Sequence, residues 1–201
     1  MSTRVFGGRV EVPYCHQVMS EQDRRDWDDR YSEDGVAHEN QPGPPPTLAA
    51  VAHLFPVEGR ALDIACGPGR AAVWLALRGM EVLGVDVSSV AIDLARRLAS
   101  LHGVSNRCRF EVHDLDSGLP EGPPVDLLLC HRFRDPRLDE AMINRLEPGG
   151  LLAVAALSEV GATPGRFRTR PGELNRAFRE LEVAARGEAD GVAWLVGRKP
   201  G

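Results

Sequence analysis

Residues 61–88 read ALDIACGPGRAAVWLALRGMEVLGVDVS. Ala61 to Ala65 is a short apolar stretch of the buried-strand kind, interrupted by one acid, Asp63. Cys66-Gly67-Pro68-Gly69 is a tight turn. Its glycines lack Cβ, so the backbone there can bend sharply and approach a ligand closely. Ala71 to Arg78 reads as an apolar helix stopped by Gly79. Val82 to Val85 is a second strand that ends on Asp86. Strand, turn, helix and strand in this order form the repeating unit of a parallel sheet.

The pattern continues on both sides. Ser88 or Ser89 caps a helix running to about His102, with Leu94, Leu98 and Leu101 on one face. Cys108 to Val112 is a third strand, followed by His113-Asp114-Leu115-Asp116. Val125 to Leu129 is a fourth, continuously apolar as in a strand buried on both faces. Arg137 to Leu146 reads as a helix, and Pro148-Gly149-Gly150 turns into a fifth strand, Leu151 to Leu157. Pro171 opens a helix to about Glu180. Leu181 to Ala185 and Val192 to Val196 form a terminal hairpin joined through Gly187 and Gly191.

Upstream, Val10, Val12 and Tyr14 suit a short strand or an arm. Ser20 starts a helix with Trp27 and Tyr31 on one face. The stretch 39–46, ENQPGPPP, is a loop, after which Thr47 caps a helix from Leu48 to Phe55 that Pro56 ends.

The alternation predicts an α/β fold: a Rossmann-like, doubly wound, seven-stranded, mostly parallel sheet with a C-terminal antiparallel hairpin strand. The expected organisation is an arm over 1–19 and one domain over 20–201. Within that domain, 20–56 covers the ligand side and 57–201 forms the core. Ligands of such sheets bind at the carboxyl ends of the strands near the topological switch point. There the sequence places Asp63 to Gly69, Asp86, Asp114, and Cys130 to Arg132.

Bulk properties narrow the function classes. A chain of 201 residues with 43% hydrophobic and 26% charged residues suits one globular domain. A net charge of −5, with arginines scattered rather than clustered, argues against a nucleic-acid surface. The four cysteines form no CxxC pair and have no zinc-finger histidine spacing, so no metal is expected and a reducing, cytoplasmic setting fits. No apolar run is long enough for a signal peptide or a membrane span. The expected partner is a small molecule, and the expected state is a monomer or homodimer.

The turn alone does not separate two ligand classes, because Gly67-x-Gly69-x-x-Ala72 also satisfies a dinucleotide fingerprint. Three features weigh against a dinucleotide. Asp63 suits a cation better than a pyrophosphate, Ala65 stands where the fingerprint wants its first glycine, and the residues after Asp86 leave no room for a separate substrate domain.

With these residues in place, the block resembles the class I S-adenosylmethionine (SAM)-dependent methyltransferases. Asp63-x-x-Cys66-Gly67-x-Gly69 is similar to their first motif and Gly84-Val85-Asp86-Val87-Ser88 to their second. His113-Asp114-Leu115 resembles the adenine-contacting motif. Leu146-Glu147-Pro148-Gly149-Gly150-Leu151 resembles the turn into the fifth strand. Together they cover roughly 58–157. Trp27-Asp28-Asp29-Arg30-Tyr31 and Cys130-His131-Arg132-Phe133 narrow the resemblance to small bacterial tellurite-resistance-type and thiopurine-type methyltransferases.

The resemblance implies SAM as cofactor, with a role for each matched residue. Asp63, Ala65, Cys66, Gly67 and Gly69 would surround the methionine part, with Tyr31 and Arg30 near its carboxylate. Asp86 and Ser88 would take the ribose side, and Val87 the adenine face. Asp114, or Asp116 in its stead, would accept from the adenine amino group beside Leu115. Cys130 would line the methionine or substrate side, and His131 is the candidate general base for a hydroxyl acceptor. Methyl transfer to a small acceptor is the expected activity. The alternatives are a catalytically silent SAM-binding protein and an NAD-linked oxidoreductase.

Overall fold

In the computed structural model, residues 21–33, 41–165 and 167–201 are described. The possible strand at Val10, Val12 and Tyr14, the arm over 1–19 and the capping role of Ser20 lie outside them.

The sheet is built from β1 (Arg60–Ile64), β2 (Glu81–Asp86), β3 (Cys108–Val112), β4 (Val125–His131), β5 (Leu146–Ser158), β6 (Arg168–Thr169), β7 (Glu182–Ala189) and β8 (Val192–Arg198). Their order is β3-β2-β1-β4-β5-β8-β7, with the two-residue β6 paired to β5. Strands β1 to β5 pair in parallel, and β8 runs antiparallel to both β5 and β7. This is the expected Rossmann-like arrangement with its antiparallel hairpin strand. The chain steps outward from β1 to β3, then returns to β4 on the other side of β1, so the switch point lies between β1 and β4. Asp63 is in register with Leu129, and Ile64 with Cys130.

The helices are α1 (Glu21–Glu33), α2 (Arg70–Arg78), α3 (Ser89–Leu101), α4 (Asp139–Arg145) and α5 (Glu173–Ala177). Strand alternation sends successive side chains to opposite faces and so makes two cores. On one face Ala61, Leu127, Leu129, Leu151 and Ala153 pack with α2, α3 and the segment around Leu48 and Phe55. On the other, Leu62, Ile64, Leu128 and Leu152 pack with Met142, Leu174 and Phe178. Each fully buried leucine contributes about 1.5–3 kcal/mol, which fixes the strand ends that carry the site.

Local expectations failed where short turns compete with α-helix. Pro46–Leu54 is a 3-10 helix, and Thr47 does not cap it: the first position is Pro45, with no side-chain capping bond. The three successive prolines 44–46 lack N–H donors and hold the chain extended up to that point. The helix placed at Arg137 to Leu146 splits into a 3-10 turn, Pro136–Leu138, and α4, while Leu146 already belongs to β5. The helix from Pro171 shortens to the five residues of α5, entered through Gly172 at φ 69°. The hairpin turns at Asp190-Gly191 (φ 50° and 78°), not over Gly187 to Gly191, and Gly187 lies inside β7 facing Trp194. Asp-Gly is a preferred two-residue hairpin turn. In α3 the buried stripe is Ala91, Ile92, Ala95, Leu98 and Ala99, while Leu101 is exposed.

Candidate functional site

The site begins where β1 ends. Ala65 takes φ 52°, Gly67 φ 52° and Gly69 φ 77°, three left-handed residues in a five-residue bend. The Cys66 amide donates to Val85 O at 2.9 Å, and the Gly69 amide to Cys66 O at 3.1 Å. Only a glycine fits at 69. A Cβ there would stand 2.6 Å from Ala95 Cβ, so the bend rests directly on α3. Gly69 also forms the first position of α2 and offers no side-chain cap. In that first turn the Ala72 amide is engaged by the Asp63 carboxyl.

Two carboxylates flank the bend. Asp86 is 7% exposed and ties the two motifs together. Its Oδ2 accepts from the Gly67 amide at 2.8 Å, and its Oδ1 from the Ser88 amide at 2.9 Å. Burial raises its pKa, and the amides of Ser88, Gly67 and Val87 pull it back. Asp63 is 2% exposed, and its Oδ2 has no hydrogen-bond partner. Burial, with Asp86 adding to it, pushes the Asp63 carboxyl up to about 8, against a smaller lowering by the Ala72 amide. A buried acid without a partner is costly unless a cation or donor meets it. Cys66 lies between them as a thiol, its pKa driven well up by burial and by Asp63 and Asp86, so it is no nucleophile.

Ser88 caps α3: its Oγ accepts from the Ala91 amide at 3.1 Å and donates to Asp28 Oδ1. Val87 and Leu115 are buried beside it, at 9% and 6% exposure. Asp114 caps the 3-10 turn Leu115–Ser117, its Oδ1 accepting from the Asp116 amide at 3.0 Å. Asp116 bonds to Arg137, which also holds Asp135. The loop after β3 is thereby tied to the loop after β4.

At the end of β4, Cys130 is buried, its Sγ bonded to Phe133 O at 3.4 Å and its pKa pushed up to about 12 by burial. His131 pairs with Ala155. Burial and then Arg132 lower its pKa to about 4, and its Nε2 is buried without a partner. His131 is therefore a neutral imidazole with a free ring nitrogen. Arg134, two residues beyond Arg132, is 8% exposed at its side chain and bonds Asp139 and Glu173, the latter at 3.0 Å. It pins this loop to α4 and α5.

α1 lies over the same edge. Tyr31 Oη would be 3.0 Å from a Cβ on Gly67, Asp28 bonds Ser88, and Arg24 pairs with Asp114 at 3.2 Å. Tyr31 thus reaches the glycine bend, whereas Arg30 is exposed and sits over the Trp27 ring at 5.2 Å. Trp27 stacks on Tyr31 at 5.8 Å. Arg24 and Asp28 were missed in the sequence, although 24, 28 and 31 have the i, i+4, i+7 spacing of one helix face. Arg134 and Arg137 were missed too: Asp139 and Asp135 are near them in sequence, but Glu173 and Asp116, which make them links between loops, lie 39 and 21 residues away. Among the described residues, no group of three His, Cys, Asp or Glu side chains could hold a metal ion. No helix among them is long and apolar enough to cross a membrane.

Comparison with known proteins adds the following. A family model described as methyltransferase domain matches residues 61–150, the block that carries the four motifs. The tRNA 5-carboxymethoxyuridine methyltransferase of Escherichia coli (strain K12) is 35% identical over 112 residues, 52% of this chain and 42% of that protein. The ubiquinone biosynthesis O-methyltransferase of Chelativorans sp. (strain BNC1) is 34% identical over 146 residues, 70% of this chain and 50% of that protein. The chain thus spans half or less of the length of either relative. In fold, TehB from Haemophilus influenzae is similar with a TM-score of 0.69 and 18% identity, over 86% of this chain and 67% of that one. This likeness agrees with the fold read from the sequence.

Proposed function

We propose, from the methyltransferase-domain match over residues 61–150 and the two buried acids beside the glycine bend, that the protein is a SAM-dependent methyltransferase. The observation that carries this reading is Asp63, a carboxyl inside the protein with an unpartnered Oδ2 at the carboxyl end of the sheet. A cationic ligand bearing an ammonium and a sulfonium fits it. A pyrophosphate would meet two carboxyls there, which disfavours the NAD-linked alternative.

SAM supplies an electrophilic methyl group on a positively charged sulfur. The chain's residues do the rest. Asp63 holds the cationic amino-acid end, and the backbone of Ala65, Cys66, Gly67 and Gly69 lets that end lie close to α2. Asp86 holds the ribose hydroxyls with lone pairs left over from its two amide bonds, and Ser88 sits beside it. Val87 and Leu115 wall the adenine, with Asp114 accepting from its amino group. Tyr31 closes the site over Gly67, and Cys130 fills the wall beyond Asp63. Holding two reactants in line is worth about 7–11 kcal/mol of barrier, so positioning supplies most of what this chemistry needs. For a hydroxyl acceptor His131 takes the proton, being neutral at every pH well above about 4. Its low basicity suits an acidic hydroxyl or one held chiefly by hydrogen bonding.

The acceptor we propose is a small molecule, supported by the net charge of −5 and the scattered arginines. A nucleic-acid acceptor is the second reading, favoured by the 35% identity to a tRNA methyltransferase. Radiolabelled SAM incubated with a panel of phenols, thiols, amines and oxyanions, and in parallel with total tRNA, separates the two. Label in tRNA alone would overturn the small-molecule acceptor. S-adenosylhomocysteine (SAH) binding with no label in any acceptor would favour the silent SAM-binding alternative.

A further inference from the structure

The three contacts of α1 fall on three parts of one site: Arg24 on Asp114, Asp28 on Ser88, and Tyr31 above Gly67. The first of these is in conflict with the site's use. Asp114 has two oxygens. Oδ1 is committed to the Asp116 amide at 3.0 Å, which shapes the loop itself. Oδ2 is the oxygen left for an adenine amino group, and Arg24 Nη2 occupies it at 3.2 Å. The pair is half exposed, at 45% and 36% of the two side chains, so it forms and breaks cheaply.

We propose that Arg24 is an affinity-setting residue that competes with the adenine base for the charge on Asp114 Oδ2, so that nucleoside binding is weaker while the guanidinium is in place. This rests on the methyltransferase reading of the site. Asp28 and Tyr31 keep α1 in place over the ribose and methionine sides while Arg24 yields. The competition costs every adenine-bearing ligand the same factor, so fragments lacking the amino-acid end, such as free adenine, are left the weakest binders. Those fragments gain nothing at Asp63.

The test compares SAH binding to the full-length parent and to Arg24→Ala by isothermal titration, at low and at high salt, with thermal unfolding recorded in parallel to show that both fold alike. SAH carries no net charge, so its own contacts change little with salt. Removing an exposed ion pair that competes should tighten binding about two- to five-fold at low salt. Salt weakens the pair in the parent and should close the gap. Free adenosine should gain at least as much as SAH. Equal or weaker binding by Arg24→Ala, or a gap that salt does not narrow, overturns the proposal. A parent that ignores SAH removes the methyltransferase reading and this proposal with it. Binding without tightening removes this proposal alone.

Discussion

Asp63 and Asp86 stand on strands covered on both faces, whereas Arg24, Asp28 and Tyr31 reach the same site from a helix that is mostly exposed. The floor is held by the sheet register and by amides that cannot move. The cover is held by side chains that meet the floor's own polar groups. A floor of this kind sets which ligand chemistry fits, while the cover adjusts how tightly and how fast it is held.

The largest effect is expected on the floor. Asp86→Ala removes the acceptor of the Gly67 and Ser88 amides together with the group proposed to hold the ribose. Two such bonds are worth about 3 kcal/mol, so SAH affinity should fall about 100-fold or more, measured by equilibrium dialysis. Retention of affinity within about threefold would place the ribose elsewhere. Next comes Gly69→Ala, where the new methyl would stand 2.6 Å from Ala95 Cβ at φ 77°. It should cost about 1–3 kcal/mol of stability in a denaturant titration, with SAH binding impaired as the bend shifts.

The third effect is a pH dependence. Folding raises the Asp63 pKa from 3.8 to about 8, so the folded chain keeps a proton that the unfolded chain has released. Stability therefore falls as pH rises from about 4 to about 8. Asp63→Asn should remove that slope and raise the melting temperature near pH 8 by roughly 2–4 °C per kcal/mol recovered. The same proton must leave when a cation binds. SAM affinity should therefore climb with pH, by up to about tenfold per unit, and level off near 8 in the parent, while staying flat in Asp63→Asn. Titrations in buffers of different ionisation enthalpy would count the released proton. The smallest effect belongs to the cover. Tyr31→Ala should weaken SAH by only about three- to tenfold through faster release, read by stopped-flow fluorescence. A loss as large as that of Asp86→Ala would show that the cover, too, decides what binds.

The same division explains what the sequence disclosed. The floor was legible because each of its parts follows a local rule. Gly67 and Gly69 sit at left-handed positions, Asp86 ends an apolar run, and Ser88 caps the helix after it. The sheet order followed from strands alternating with helices. The cover was legible only as an aromatic helix, because Arg24–Asp114 spans 90 residues and Asp28–Ser88 spans 60. No local period reports such pairs. Arg134 was missed partly for the same reason: Asp139 is five residues on, but Glu173 lies 39 residues away. The errors in helix length, at Arg137 and at Pro171, fall where prolines and glycines favour single turns over continued helix, whereas at Thr47 the helix is present and only its cap was misread. Asp190-Gly191 could have been read as the hairpin turn from its two residues alone.

Titration calorimetry of the purified chain with SAH, SAM and NAD, each added alone, addresses the central claim most directly. SAH and SAM should bind at one site per chain, SAM binding below pH 8 should release a proton, and NAD should give no heat of binding. Binding of NAD with none of SAM or SAH would contradict that claim.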